Sequence, residues 1–139
     1  IEQGQVVQEL GWDTDTDDDI RADIGAIVDQ VAPRGDEPVI VKQFPNSFVQ
    51  TDLDERLKAL GTSNLVLAGF MTHMCVNSTA RGAFSLGYAP TVVAAATATR
   101  TLAGPDGQAV PAAALQAASL AGLADLVAVV APNAAAIPD

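Results

Sequence analysis

The sequence predicts an α/β fold, a three-layer sandwich with a mainly parallel sheet. Two observations lead to this prediction. Four short apolar runs, three of them rich in β-branched residues, are typical of buried strands, and the segments between them carry apolar residues at helical spacing. An alternation of strands and helices implies right-handed parallel crossovers. The 139 residues, 49% of them hydrophobic, fit a single domain over 1–139 without an internal repeat or linker.

The strands and helices are placed by their local signals. We predict strands over 38–42, 64–70, 90–95 and 125–130, and helices over 51–60, over 76–86 and from Pro111 onward. Thr51 or Asp52 can cap the first of these helices, and Gly61 fits its end. Residues 20–31 fit either a helix or a short helical turn, whereas the first ten residues are weakly patterned. Residues 97–107 form a polar segment.

The charge balance excludes several classes of partner. Seven Lys and Arg stand against 17 Asp and Glu, which gives a net charge of -10. Binding to a phosphate backbone or an anionic membrane surface needs clustered cations, so we expect neither nucleic acid nor membrane as a partner. No apolar stretch reaches the roughly 20 residues that span a bilayer, and the first residues are unlike a signal peptide. We therefore expect a cytoplasmic protein.

Few side chains are available for chemistry. Cys75 is the single cysteine and His73 the single histidine, which excludes an internal disulfide framework and any multi-Cys or His-rich metal site in this chain.

The acidic run 13–19 can be compared with the calcium-binding loop of an EF-hand. Counted from Asp13, the sixth and twelfth positions hold Asp18 and Ile24 instead of the required Gly and Glu, so the match fails.

Cys75 and Lys42 stand where two predicted strands end. Cys75 lies at the start of the helix after the second strand, where the helix dipole favours thiolate, and Lys42 ends the first strand. Ligands gather at the carboxyl ends of parallel strands, and a nearby ammonium would also favour thiolate. From the pattern alone, however, an isolated cysteine is more often a small buried hydrophobe, and both interpretations stay open at this point.

Two segments resemble the isochorismatase-like cysteine hydrolases. Residues 69–76, followed by 78–81, Ala83 and 87–88, are similar to the family's nucleophile region. Residues 39–42, with 46–48, Thr51 and Leu53, are similar to its lysine strand and the following loop. The two motifs occur in the family's order, and the likeness covers about residues 31–130.

The resemblance implies a mechanism. Cys75 would attack the carbonyl carbon of a small amide and form a thioester that water hydrolyses, and Lys42 would hold the thiolate. It also implies a non-proline cis peptide between Phe70 and Met71, and an oxyanion hole formed by the backbone N–H groups of Met71 and Cys75. No cofactor is implied.

The likeness begins in mid-domain, so we expect the N-terminal part of the family's domain to be missing from the chain. The catalytic aspartate that ends the family's first strand has no counterpart here, and Asp13 and its neighbours follow no buried strand. The first strand, first helix and second strand of the family are expected to be absent with it, and so is the half that carries the metal ligands of nicotinamidases. A further departure is Ala94–Ala96, where the family often has an Asp-Ala pair.

Several other aromatic and polar residues lie within or near the two motifs. Residues two apart do not face each other on a helix, so His73 is expected to hydrogen-bond within its loop or at a subunit contact. Phe44 and Phe70 are candidate walls of an apolar substrate pocket. Arg81 is expected on the surface or between helices. Asn46 and Ser47 fit substrate binding and plain loop chemistry equally well.

We predict a cysteine hydrolase that cleaves a small amide or related C–N bond. The alternatives are a non-catalytic scaffold domain that kept the fold, and a vinyl ether hydrolase of the isochorismatase type, which needs no cysteine. The expected partners are a small-molecule substrate and further copies of the chain, in a dimer or tetramer.

Overall fold

The computed structural model describes the backbone of residues 6–9, and residues 27 and 29–138. The strands are Val6–Glu9 (β1), Val39–Lys42 (β2), Asn64–Phe70 (β3), Ala89–Ala98 (β4), Leu102–Ala103 (β5), Ala109–Val110 (β6) and Val129–Ala131 (β7). The α-helices are Leu53–Ala59 (α1), Asn77–Ser85 (α2) and Ala112–Ala124 (α3). Single turns of 3-10 helix cover Asp29–Val31 and Ala134–Ala136, and a π-helical turn covers Thr72–Val76.

The strands confirm the α/β class. β3, β4 and β7 form a parallel sheet in that order, and β1 pairs in parallel with β2. The four predicted strands correspond to β2, β3, β4 and β7. β1 was not predicted, because its four residues end in Gln8 and Glu9 and carry little apolar pattern. The polar segment after β4 contains β5, which pairs with β6 as a short antiparallel hairpin.

The three helices also match their predictions, with small differences at the ends. α1 is followed by Gly61, whose φ of +65° provides the left-handed conformation expected at a helix end. Pro111 caps α3 in an extended conformation instead of forming its first residue. Of the predicted 20–31 element, the structure describes a 3-10 turn at Asp29–Val31; the acidic run 13–19 and Trp12 lie outside the described residues.

Two hydrophobic clusters join the helices to the strands. One combines Ile40 of β2 with residues of α1 and with Ala83 and Tyr88; the other combines Val92 of β4 with Val76, Ala80, Leu123 and Val127. Helix α2 contributes to both, through Ala83 on one side and Ala80 on the other, and Val76 belongs to the π-helical turn just before it. The position of α2 is thereby fixed relative to β2 and to the β3–β4–β7 sheet.

Tyr88 connects the first cluster to α1 by a hydrogen bond. Its hydroxyl donates to Asp54 Oδ1 at 2.7 Å, and its ring stacks on Phe48 with the centroids 5.8 Å apart. Burial, followed by this hydrogen bond, raises the pKa of Tyr88. Hydrogen bonds from Lys58 and then from Tyr88 lower the pKa of Asp54. The two pKa shifts therefore favour a protonated Tyr88 and an ionised Asp54, which are the states in which this hydrogen bond forms.

The Tyr88 hydroxyl is therefore expected to stabilise the fold in a pH-dependent way. Tyr88→Phe keeps the ring and should lower the midpoint of thermal unfolding by about 3 °C at neutral pH. The pKa of Tyr88 is higher in the folded protein than the value of 10.0 in the unfolded chain, so the hydroxyl stabilises the fold fully at pH values below 10.0. This stabilisation is lost as the pH rises through the pKa of Tyr88 in the folded protein. The difference in the free energy of unfolding between wild type and Tyr88→Phe, measured with urea, should therefore be smaller at about pH 10.5 than at pH 7. An equal difference at both pH values would contradict this role of the Tyr88 hydroxyl.

Across the part of the chain that the structure describes, no helix combines the length and apolar character needed to cross a membrane.

Candidate active site

Cys75 lies in the π-helical turn that connects β3 to α2. The Met71 carbonyl accepts the N–H groups of Met74 and Val76 at 3.0 and 3.3 Å, and the second of these bonds gives the turn its π-helical width. π-helical turns are frequent at functional sites. Cys75 is buried, with 8% of the residue exposed, and its turn follows the carboxyl end of β3.

The residues before the turn have an unusual backbone. The peptide bond between Phe70 and Met71 is cis, and Gly69 has a φ of +116°, a conformation that side chains disfavour. An oxyanion hole formed by the N–H groups of Met71 and Cys75 stays a prediction.

Thr72 ties this turn to the neighbouring strand. Its side chain is fully buried, and its hydroxyl donates to the Ala98 carbonyl at the end of β4, at 3.0 Å. The pairing of β3 with β4 shifts just before this point, from Leu67 opposite Val92 to Gly69 opposite Thr97. The extra residues of β4 bring its end alongside the turn, where the bond to Thr72 holds the two together.

Lys42 is the last residue of β2 and is almost completely buried. Along β2 the side chains alternate between exposed and buried, so Lys42 points to the same side as Ile40 and is 4% exposed. Its ammonium donates to the Phe44 carbonyl at 3.0 Å and to the Pro45 carbonyl at 3.4 Å. A buried cation needs such acceptors, because burial away from water without them costs several kcal/mol.

The loop after Lys42 is bonded to the helix that follows Cys75. Thr79 donates its hydroxyl hydrogen to the Pro45 carbonyl at 3.2 Å, and the N–H of Ser47 donates to the Thr79 hydroxyl at 3.1 Å. The Pro45 carbonyl therefore accepts from both Lys42 and Thr79. Thr79 follows Cys75 by one helical turn, so the lysine strand and the cysteine helix are joined within one turn of the thiol.

The structure gives the other predicted site residues varied positions. Phe70 is 73% exposed and Phe44 36% exposed, so neither ring is enclosed, and their role as pocket walls stays a prediction. His73 Nδ1 hydrogen-bonds to the Thr99 hydroxyl, which follows β4 and lies 26 residues further along the chain, so this bond is not within the loop of His73 as expected. Arg81 bonds to Asn77 on its own helix and to the Gly122 carbonyl of α3, which confirms a contact between helices.

Sequence reasoning missed Thr79, and it left the role of Ser47 open. The two hydroxyl oxygens are 3.0 Å apart and both side chains are buried, so Ser47 serves the contact between loop and helix. The available signal was the spacing of Thr79 four residues after Cys75, which puts both on one helical face.

Among the described residues, no group of three or more His, Cys, Asp or Glu side chains is arranged to hold a metal ion.

Comparison with known proteins shows a family match across most of the chain. The Isochorismatase domain model matches residues 9–134. An isochorismatase from Pseudomonas putida superposes with a TM-score of 0.85 at 40% identity, over 94% of this chain and 66% of that one.

Two related proteins match over shorter lengths. The isochorismatase family protein YddQ of Bacillus subtilis is 47% identical over 76 residues, which are 55% of this chain and 42% of YddQ. The ureidoacrylate amidohydrolase RutB of Azorhizobium caulinodans is 37% identical over 86 residues, 62% of this chain and 33% of RutB. The chain thus spans less than half the length of these two relatives.

Proposed function

Because this chain belongs to the isochorismatase family, we propose that it provides the nucleophile and its cationic partner for a hydrolase that cleaves a small amide or related C–N bond. Cys75 is the nucleophile and Lys42 is the partner. RutB, a relative at 37% identity, is named as an amidohydrolase, which supports an amide as the substrate class.

One observation carries the proposal. Lys42 and Cys75 are both buried at the carboxyl ends of parallel strands, and the Pro45 carbonyl, shared by Lys42 and Thr79, joins the two elements. A cation held beside the start of the helix would lower the pKa of the Cys75 thiol and raise its reactivity at neutral pH.

The reaction then follows from the chemistry of a thiolate. The Cys75 sulfur forms a bond to the carbonyl carbon, and the tetrahedral oxyanion collapses as the C–N bond breaks. The leaving nitrogen takes up a proton and departs as an amine or ammonia. Water then attacks the thioester, which releases the carboxylic acid and restores the thiol. The family's aspartate would move these protons, and we assign no residue of this chain to that role.

The reactivity of Cys75 tests the proposal directly. Because the chain has one cysteine, the urea-unfolded chain is its own reference for an ordinary thiol. We expect iodoacetamide to alkylate the folded protein at pH 7 at least about 10-fold faster than the unfolded chain, since lowering a thiol pKa by one unit raises its thiolate fraction about 10-fold.

Cys75→Ser serves as the blank for alkylation elsewhere in the chain. A folded protein that reacts more slowly than the unfolded one would identify Cys75 as an inert buried thiol and would favour the non-catalytic scaffold.

A further inference from the structure

The Pro45 carbonyl is the centre of a hydrogen-bond network between Lys42 and Thr79. It accepts from the Lys42 ammonium at 3.4 Å and from the Thr79 hydroxyl at 3.2 Å. A hydroxyl has one hydrogen to give, so a Thr79 that donates to Pro45 must be the acceptor in its contact with the Ser47 hydroxyl, 3.0 Å away. The backbone N–H of Ser47 also donates to Thr79, at 3.1 Å.

This network is shielded from water. Lys42, Ser47 and Thr79 are all buried. Water cannot readily replace a lost partner there, so removing the Thr79 hydroxyl leaves the Ser47 N–H and hydroxyl short of an acceptor and the loop less firmly held.

A second contact holds the same loop against α2. A Cβ placed on Gly82 would lie 2.6 Å from the amide atoms of the Asn46 side chain, which real Cβ contacts do not show. The Asn46 amide oxygen also accepts the N–H of Phe48 at 3.0 Å. The loop therefore packs on α2 at Thr79 and at Gly82, one helical turn apart.

We propose that Thr79 is a positioning residue: through the Pro45 carbonyl and Ser47, it holds the Lys42 ammonium in place beside the helix that follows Cys75. In this role the hydroxyl acts through its bonds to Pro45 and Ser47. Its effect on the reactivity of Cys75 rests on the proposed function, whereas its effect on the position of Lys42 does not.

Chemical modification of lysine measures the position of Lys42 without any substrate. The sequence has two lysines, the buried Lys42 and the exposed Lys58, so acetylation by acetic anhydride can be read by peptide mass spectrometry with Lys58 as internal reference. In Thr79→Val we expect acetylation of Lys42 relative to Lys58 to rise about fivefold. Thr79→Ser, which keeps the hydroxyl, should stay close to the wild-type ratio.

Thr62→Val is the matched control, because it removes a threonine hydroxyl that bonds to the Asn64 carbonyl in the turn before β3. If Thr79→Val does not fold, Thr79→Ala removes the same hydroxyl and provides the same test. An unchanged ratio in the folded Thr79→Val or Thr79→Ala variant would overturn the inference.

The pH dependence of alkylation separates this inference from the proposed function. We expect Thr79→Val to move the alkylation profile of Cys75 to higher pH and Thr79→Ser to leave it in place. Increased acetylation of Lys42 with an unmoved profile would support the positioning role of Thr79, and would contradict the pairing of ammonium and thiolate in the proposed function.

Discussion

Replacing Cys75 with serine is expected to slow acyl transfer from a small activated ester by at least about 10³-fold. A serine hydroxyl at this position ionises far less readily than a thiol, and Cys75 is the single cysteine of the chain. Acylation is the appropriate step to measure, because it requires the nucleophile and not the group that later activates water. The release of p-nitrophenol from p-nitrophenyl acetate reports the rate, and the intact mass reports the acyl-protein.

Met74→Leu is the control for this substitution. Met74 precedes Cys75 in the same π-helical turn and is exposed, so leucine changes the turn's surface without touching the sulfur. We expect its acylation rate to stay within about twofold of the wild-type rate. Equal rates in wild type and Cys75→Ser would show that another residue is acylated.

The second large effect is expected at Lys42. Lys42→Met keeps most of the length of the side chain and removes its charge, and we expect acylation at pH 7 to fall about 10²-fold. The physical reason is electrostatic: in the proposed pairing the ammonium stabilises the thiolate, so its removal would leave less thiolate at neutral pH. The pH profile of acylation should accordingly move to higher pH.

Lys58→Met makes the same chemical change at an exposed site. Lys58 donates to Asp54 at 2.6 Å on the surface of α1. Its acylation rate and pH profile should match those of the wild type. Circular dichroism would first show that Lys42→Met and Lys58→Met are both folded. Equal acylation rates and pH profiles in these two variants would then contradict the proposed pairing of Lys42 with Cys75.

The elements near the site follow well from the sequence. β2 is a short β-branched run and β3 a short apolar run, both bounded by turn residues, and such local signals place both Lys42 and the start of the Cys75 turn. The boundary of β7 was harder to predict. The apolar run 125–130 is split, because the N–H groups of Asp125 and Val127 still bond to carbonyls of α3, so the strand begins only at Val129.

The contacts that complete the site do not follow from local pattern. Thr79 and Pro45 are separated by 34 residues, and their hydrogen bond exists only once α2 packs beside the loop after β2. The pairing of β1 with β2 is likewise set by tertiary structure, since β1 has no strong strand pattern of its own. Motif spacing thus predicts the candidate reactive residues, but not the groups that hold them.

The position of Tyr88 has a practical consequence for following this protein in solution. It is the single tyrosine of the chain, and it belongs to the cluster that brings β2, α1 and α2 together. Ultraviolet difference absorbance of the phenol–phenolate transition therefore monitors one side chain at one junction. An optical signal from that junction tells an observer, without any label, whether the lysine strand and the cysteine helix are still assembled.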